Sequence, residues 1–543
     1  MKYTYFLLSL CFLASSNLYA QDSLGYQWVQ QASGMLQEEV TALAFDPAGS
    51  LIIAGTFRGK TGFGTDSVCA ILPEAKDREI FLAKYDTSGQ LIWLKSGGSR
   101  FLNFHDEISN LTIDSSGNVY VTGTFRDTLE FNGQQLLSGG GTQDAFLLAL
   151  DSNGNVLWMR NDHQTIFEVG KDVGVNGQGE IVFLSRRGGT GQFRPAITKF
   201  ASNGDTIWLH AFTDILDAAE MAIGPDDKIY LTGFMGKNLI LPSGDTLMKS
   251  PGNGPDHYVL CLDTDGNILW GTKGTTGNDD RAHHIEVDSQ GNVFVHGRTN
   301  SWLAWGADTL WLQNTEEYIV KYGPSGEYIE ARLVAGTGAS MKDMTLDQKD
   351  NLWIAGSMSA NSLLGDSSLD MATARVVGLA SFDNDLNFLR LFSNQTNSGS
   401  GKNTEALAIA IDSAVNLYVG GSFLGDPSFG ELSLSAYGSF DAWWGRISPK
   451  KEDPTSVLSL IGEEVKLFPN PNQGSFFLSF PPYESGPVQI IIRDQKGSVV
   501  LRKQIIPQAM SSSIHLPPLP TGMYQVDLQS LNRRWFGNML VRQ

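Results

Sequence analysis

The 543-residue chain holds 59 Gly and 20 Pro, with 18 % charged and 41 % hydrophobic residues. Such a chain is too apolar to be disordered, too poor in charge for a coiled coil and too rich in turn formers for a helical bundle. A net charge of −19 argues against a phosphate-backbone partner, so no nucleic acid is expected.

Residues 1–20 have the three-part layout of a secretory signal peptide. Met1 and Lys2 precede an apolar run over 6–14, too short to span a membrane, and the small Ala20 stands before Gln21. No later stretch approaches the roughly 18 apolar residues of a membrane helix, so no transmembrane segment is expected. Without Cys11, the cysteines that remain are Cys69 and Cys261, read as free structural thiols far apart in the array.

Between 21 and 450 one unit recurs. Ile113-Asp114-Ser115-Ser116-Gly117-Asn118-Val119-Tyr120-Val121-Thr122-Gly123 returns from Val287 and again from Ile411, with weaker copies at Asp46, Asn176, Gly224 and Asp347. Seven copies at a mean spacing of roughly 61 residues point to a repeat architecture. Each reads as four strands: an apolar strand, a tight Asp-x-x-Gly-Asn turn, a second strand, a long loop, then a third and fourth strand joined by a similar turn. Asp suits these turns because it bonds its own backbone, and Gly because it accepts positive φ. Trp28, Trp93, Trp158, Trp208 and Trp270 recur in the fourth strand and are expected in the inter-blade core.

The fold class that follows is all-β: a seven-bladed β-propeller. The seventh copy has a third strand, 441–447, but no Gly-x-x-x-Trp strand after it. That piece stands at Gly25-Tyr26-Gln27-Trp28-Val29, so the N-terminal strand is expected to complete the last blade and remove its open edge. Over about residues 25–447 the repeats resemble the bacterial SBBP-type β-propeller repeat. That resemblance implies a propeller and no defined activity.

After a linker over 451–465 the pattern changes. Alternating strands with turn punctuation over 466–543 read as a small β-sandwich. The Pro469-Asn470-Pro471-x-x-Gly474 opening, the Gly497 turn and the Pro-x-Gly522-x-Tyr524 element resemble the C-terminal sorting domain of the type IX secretion system. The resemblance implies export through that machinery, which would act as a partner of this domain. The destination would be the medium or the outer-membrane surface of a Gram-negative bacterium, with the protein expected as a monomer.

Candidate sites are fewer. The long loops between second and third strands lie on one face, where a rigid scaffold would display them. Counting back seven residues from the position equivalent to Asp114 finds Glu39, Glu107, Asp217 and Glu405 in four blades of seven, with Asp280 one residue off in a fifth. Carboxylates at the start of the innermost strands would either ring a cation such as Ca²⁺ or accept backbone N–H groups and fix the connections; the second reading is preferred. Asp263-Thr264-Asp265-Gly266-Asn267 is read as a hairpin turn, not a Ca²⁺ loop, because its copies lack the second Asp. Trp302 and Trp311 share one long loop and offer aromatic faces for a glycan or protein ligand. His283 and His284 are not expected to share a metal, since neighbours on a strand point to opposite faces. With no nucleophile elbow, Walker loop or dinucleotide fingerprint, the expectation is a binding protein, its ligand a glycan, a surface polymer or a protein. The alternatives are a hydrolase or lyase working at the long-loop face and a passive structural or adhesion component.

Overall fold

The computed structural model describes residues 24–449 apart from 72–76, 100–104, 140–141, 162–166, 190–191, 213–216, 237, 241–245, 249–254, 277–279, 300–301, 306–307, 312–315, 337, 360–361, 366, 369–374 and 395–402. It also describes the strands between 463 and 541. The signal-peptide segment and Pro469, Asn470, Pro471, Gly474 and Gly497 lie outside these residues. The chain divides into two compact units, Met1–Lys450 and Lys451–Gln543.

Among the described residues the first unit is built of strands alone, in seven four-stranded blades. The innermost strands are Glu39–Phe45, Glu107–Ile113, Phe167–Val175, Asp217–Ile223, Asp280–Val287, Ala339–Leu346 and Asn403–Ile411. Each touches the next, and the seventh touches the first, so the array closes into a ring. Closure is made by Leu24–Gly34, which runs antiparallel to Asp441–Pro449 with Val29 opposite Gly445. The strand expected at 25–29 is longer than its repeat signature, but it occupies the expected place.

Among the described residues thirteen hairpins share one geometry. In the turn after Glu107–Ile113, Asp114 Oδ1 accepts from Ser116 N at 2.8 Å and Asn118 N at 2.9 Å, and the fourth residue, Gly117, sits at φ 85°. Nine of the thirteen fourth positions are Gly, which adopts this left-handed conformation without strain. Asp227, Asp350, Leu386 and Val415 hold the same place at φ 52–62°. Asp263–Asn267 is one of these hairpins.

These glycines also dock the blades. Trp93, Trp158, Trp208 and Trp270 each send the indole N–H to a carbonyl in the following blade's outer hairpin, at 3.1, 2.9, 3.2 and 3.1 Å. A Cβ on Gly154, Gly204, Gly266 or Gly326 would stand 2.6–3.2 Å from the corresponding ring, so the turn lies flat on the indole. Trp28 packs on Gly89 in the same way and carries the pattern across the closure. Strand faces between blades supply the core. Trp443, Trp444, Tyr85, Phe57 and Phe81 are wholly buried, each such side chain contributing about 1.5–3 kcal/mol.

Among the described residues the second unit holds a five-stranded and a three-stranded sheet. Gly522 opens the strand Gly522–Gln529, paired with Arg534–Val541, and Tyr524 is buried within it. Glu463 and Glu464, placed in the linker from sequence, pair in parallel with Trp535 and Phe536.

Candidate functional site

Glu39, Glu107, Asp217 and Asp280 each stand at the first residue of an inner strand, and Glu405 at the third residue of its own. The structure does not gather them. Arg78 Nη1 lies 3.4 Å from both Glu39 and Glu107 across the seam between the first two blades. Asp217 pairs with Arg186 at 3.1 Å. Asp280 is wholly buried, with Oδ2 2.5 Å from His257 Nδ1 and Oδ1 accepting the Tyr318 hydroxyl at 2.6 Å. His257 Nε2 and Trp305 Nε1 meet at the Tyr322 hydroxyl, so this Asp–His–Tyr chain braces a seam in the core. Glu405 offers its backbone carbonyl to Trp443 Nε1 at 3.0 Å. Among the described residues these five share no point where one ion would touch three of them.

Asp280 Oδ2 also accepts from His257 N at 3.2 Å, and neighbouring acids fix other connections. Glu38 accepts from Gly34 N at 3.1 Å and from the Thr61 hydroxyl at 3.1 Å; Asp106 accepts from Ser99 N at 2.5 Å. Glu79 holds Ile71 N and Asp441 holds Tyr437 N. Burial, then the nearby Asp441, pushes Glu38 up to about 8; burial pushes Asp106 up to about 7.

Several of the long loops are not free displays. In the first, second and sixth blades they fold as short hairpins that pair with the outermost strand of the preceding blade, as Leu129 does with Ser99, Ser33 with Gly62 and Ala335 with Leu364. One of them, with its neighbouring outer strand, lines an open cleft of ≈ 500 Å³ that holds the exposed Cys69 beside Trp93. The hairpin Leu303–Trp305 with Asp308–Leu310 carries the tryptophan cluster. Trp305 is buried and stacks on Tyr328 at 5.0 Å. Trp311 is 74 % exposed and Trp302 half-buried, their ring centroids 6.4 Å apart and tilted by 49°. The two therefore form an aromatic step open to solvent.

A second cluster is not legible from the strand-start spacing. Every inner strand carries a β-bulge, and the residue after it lies four before the first residue of the turn: Ala42, Asn110, Asp172, Glu220, His284, Asp343 and Ala408. Counting back four positions, not seven, finds this ring. Three of its carboxylates clasp the next blade: Asp172 accepts from Met221 N, Glu220 from Ile285 N and Asp343 from Ile409 N, at 2.7–2.8 Å. Glu220, His284 and Asp343, from three consecutive blades, each bring one ligand atom within 4.8 Å of the others. His283 is the bulged residue, so strict alternation fails and its ring also lies 6.2 Å from His296, with His284 stacked on His296 at 5.5 Å. Burial raises the carboxyls of Glu220, Glu286 and Asp172, lifts Asp343 to about 7, and lowers His284.

The fold defines the class: a seven-bladed β-propeller, followed in sequence by a small all-strand unit. Residues 103–124 match the family model described as a beta-propeller repeat, SBBP, and 466–542 match the secretion system C-terminal sorting domain. The two matches support a secreted or cell-surface propeller protein, and the C-terminal one implies interaction with the type IX secretion machinery. It is 21 % identical over 398 residues to an uncharacterized WD repeat-containing protein of Acanthamoeba polyphaga mimivirus, covering 62 % of this chain. The chain spans about a quarter of that relative's length, 26 %. Similar solved structures include a protein of unknown function from Dyadobacter fermentans, at 8 % identity and TM-score 0.36, covering 79 % of this chain and 99 % of that one. A polysaccharide lyase is 11 % identical at TM-score 0.43, covering 76 % and 90 % of the two chains.

Proposed function

We propose that this chain is an extracellular binding protein of a Gram-negative bacterium, secreted or held at the outer-membrane surface as a monomer, that takes a glycan on the Trp302–Trp311 step. The observation that carries this reading is the exposed face of Trp311 beside Trp302 on a hairpin anchored in the rigid ring. Apolar sugar faces stack on such rings, while a core tryptophan such as Trp305 has its face covered by Tyr328. Export by the sorting route brings the pair to where glycans are met. A glycan array probed with the purified, labelled chain tests the reading. Saturable binding to a polysaccharide or oligosaccharide class without turnover supports it. A blank array alongside capture of a defined surface protein moves the function to protein binding, and product release from a polysaccharide makes the chain an enzyme.

A further inference from the structure

We propose that Glu220, His284 and Asp343 form a site for one divalent transition-metal ion on the propeller axis. Residues of three successive blades can converge within 4.8 Å only where the inner strands meet. His284 Nδ1 lies 3.4 Å from Glu220 Oε1. Two ligands each about 2.0–2.1 Å from a tetrahedral ion stand roughly 3.4 Å apart, so this edge already has coordination length.

The carboxylates are held in place from behind. Glu220 Oε2 accepts from Ile285 N at 2.7 Å, which leaves Oε1 turned to His284. Asp343 is fixed through Met344 N and Ile409 N, both at 2.8 Å. Backbone donors of this kind orient metal-binding carboxylates and keep their second lone pairs available. Among the described residues no Lys or Arg forms an ion pair with Glu220 or Asp343, so an ion of charge +2 would meet these carboxylates without displacing an ammonium or guanidinium group. The imidazole selects its kind: a nitrogen donor with two carboxylates suits Zn²⁺ or Mn²⁺, whereas Ca²⁺ and Mg²⁺ favour all-oxygen shells. The three donors stay partly open to solvent, so water would complete the shell.

The test uses the untagged full chain, stripped with a chelator and titrated calorimetrically with ZnCl₂, MnCl₂, CaCl₂ and MgCl₂, with bound metal counted by mass spectrometry. The expected result is one Zn²⁺ or Mn²⁺ per chain, bound at least tenfold more tightly than Ca²⁺ or Mg²⁺. Glu220→Gln, which keeps an oxygen for Ile285 N, and His284→Gln should each weaken binding at least tenfold, while Glu39→Gln leaves it unchanged. Should Glu220→Gln fail to fold, Asp343→Asn with His284→Gln gives the same reading. Absence of saturable binding by the folded wild-type chain, equal affinity for Ca²⁺, or unaltered binding by the folded variants would overturn the site.

Discussion

Val415 is the sharpest test of the hairpin repeat. It occupies the fourth turn position at φ 62°, where nine sister turns have Gly, and it is 38 % exposed. A β-branched residue in the left-handed region costs about 1–2 kcal/mol relative to its normal conformation, whereas Gly adopts it freely. Val415→Gly gives back part of that through the looser unfolded chain and a little lost burial, leaving a net gain of about 0.5–1 kcal/mol. Leu386 has the same backbone at φ 52° but is 1 % exposed and packs with Leu352, Phe382 and Val376. There Leu386→Gly removes a core side chain, a loss of about 2–5 kcal/mol that relief of strain does not offset. Equilibrium urea unfolding of the propeller transition reads both changes, provided the slope m is unchanged. Opposite signs at one turn position are expected. A destabilised Val415→Gly, or a stabilised Leu386→Gly, refutes the reasoning.

Other outcomes follow from the same geometry. Gly179 and Gly204 share φ near 80°, at 75° and 84°, but a Cβ on Gly204 would meet Trp158 at 2.8 Å while one on Gly179 meets nothing within 4 Å. Gly179→Ala should therefore cost about 1 kcal/mol of strain, and Gly204→Ala clearly more, with its indole lock displaced; equal unfolding midpoints contradict this. Glu38 is held protonated up to about 8 in the fold, while the unfolded chain releases its proton above about 4.5. The folded state thus loses stability as pH rises through that window, by at most about 1.4 kcal/mol per pH unit for one group. Glu38→Gln should flatten the curve of stability against pH between those limits, and an unchanged curve speaks against a buried, protonated Glu38.

Blade number, ring closure and hairpin chemistry were legible because each is written many times over. Asp114, Asp288 and Asp412 repeat one turn, and the displaced Trp28 strand marks where the circle closes. The axial cluster was hidden because Ala42, Asn110, Asp172, Glu220, His284, Asp343 and Ala408 differ in residue type, and what unites them is a bulge that single-strand alternation does not reveal. The same bulge breaks strict alternation at His283 and His284, both of which lie beside His296, while His284 alone joins Glu220 and Asp343. Carboxylates seven residues before the turns were legible as strand starts, but not the arginines and histidine that reach them from neighbouring strands and blades: Arg78, Arg186 and His257. Much of the net charge of −19 goes into turn aspartates and into buried acids such as Glu38, Asp106 and Asp441 that hold connections. Long loops suggested open display surfaces, yet several spend their strands on the preceding blade.

The proposed glycan binding rests on the exposed aromatic step, and calorimetry on Trp311→Ala tests it most directly. Trp311 is a surface residue, so its truncation should leave the stability within about 0.5 kcal/mol of wild type. Titrated with the glycan best retained on the array, Trp311→Ala should bind at least tenfold more weakly, a loss of about 1.4 kcal/mol. Unchanged affinity in the folded variant would contradict glycan recognition at this step.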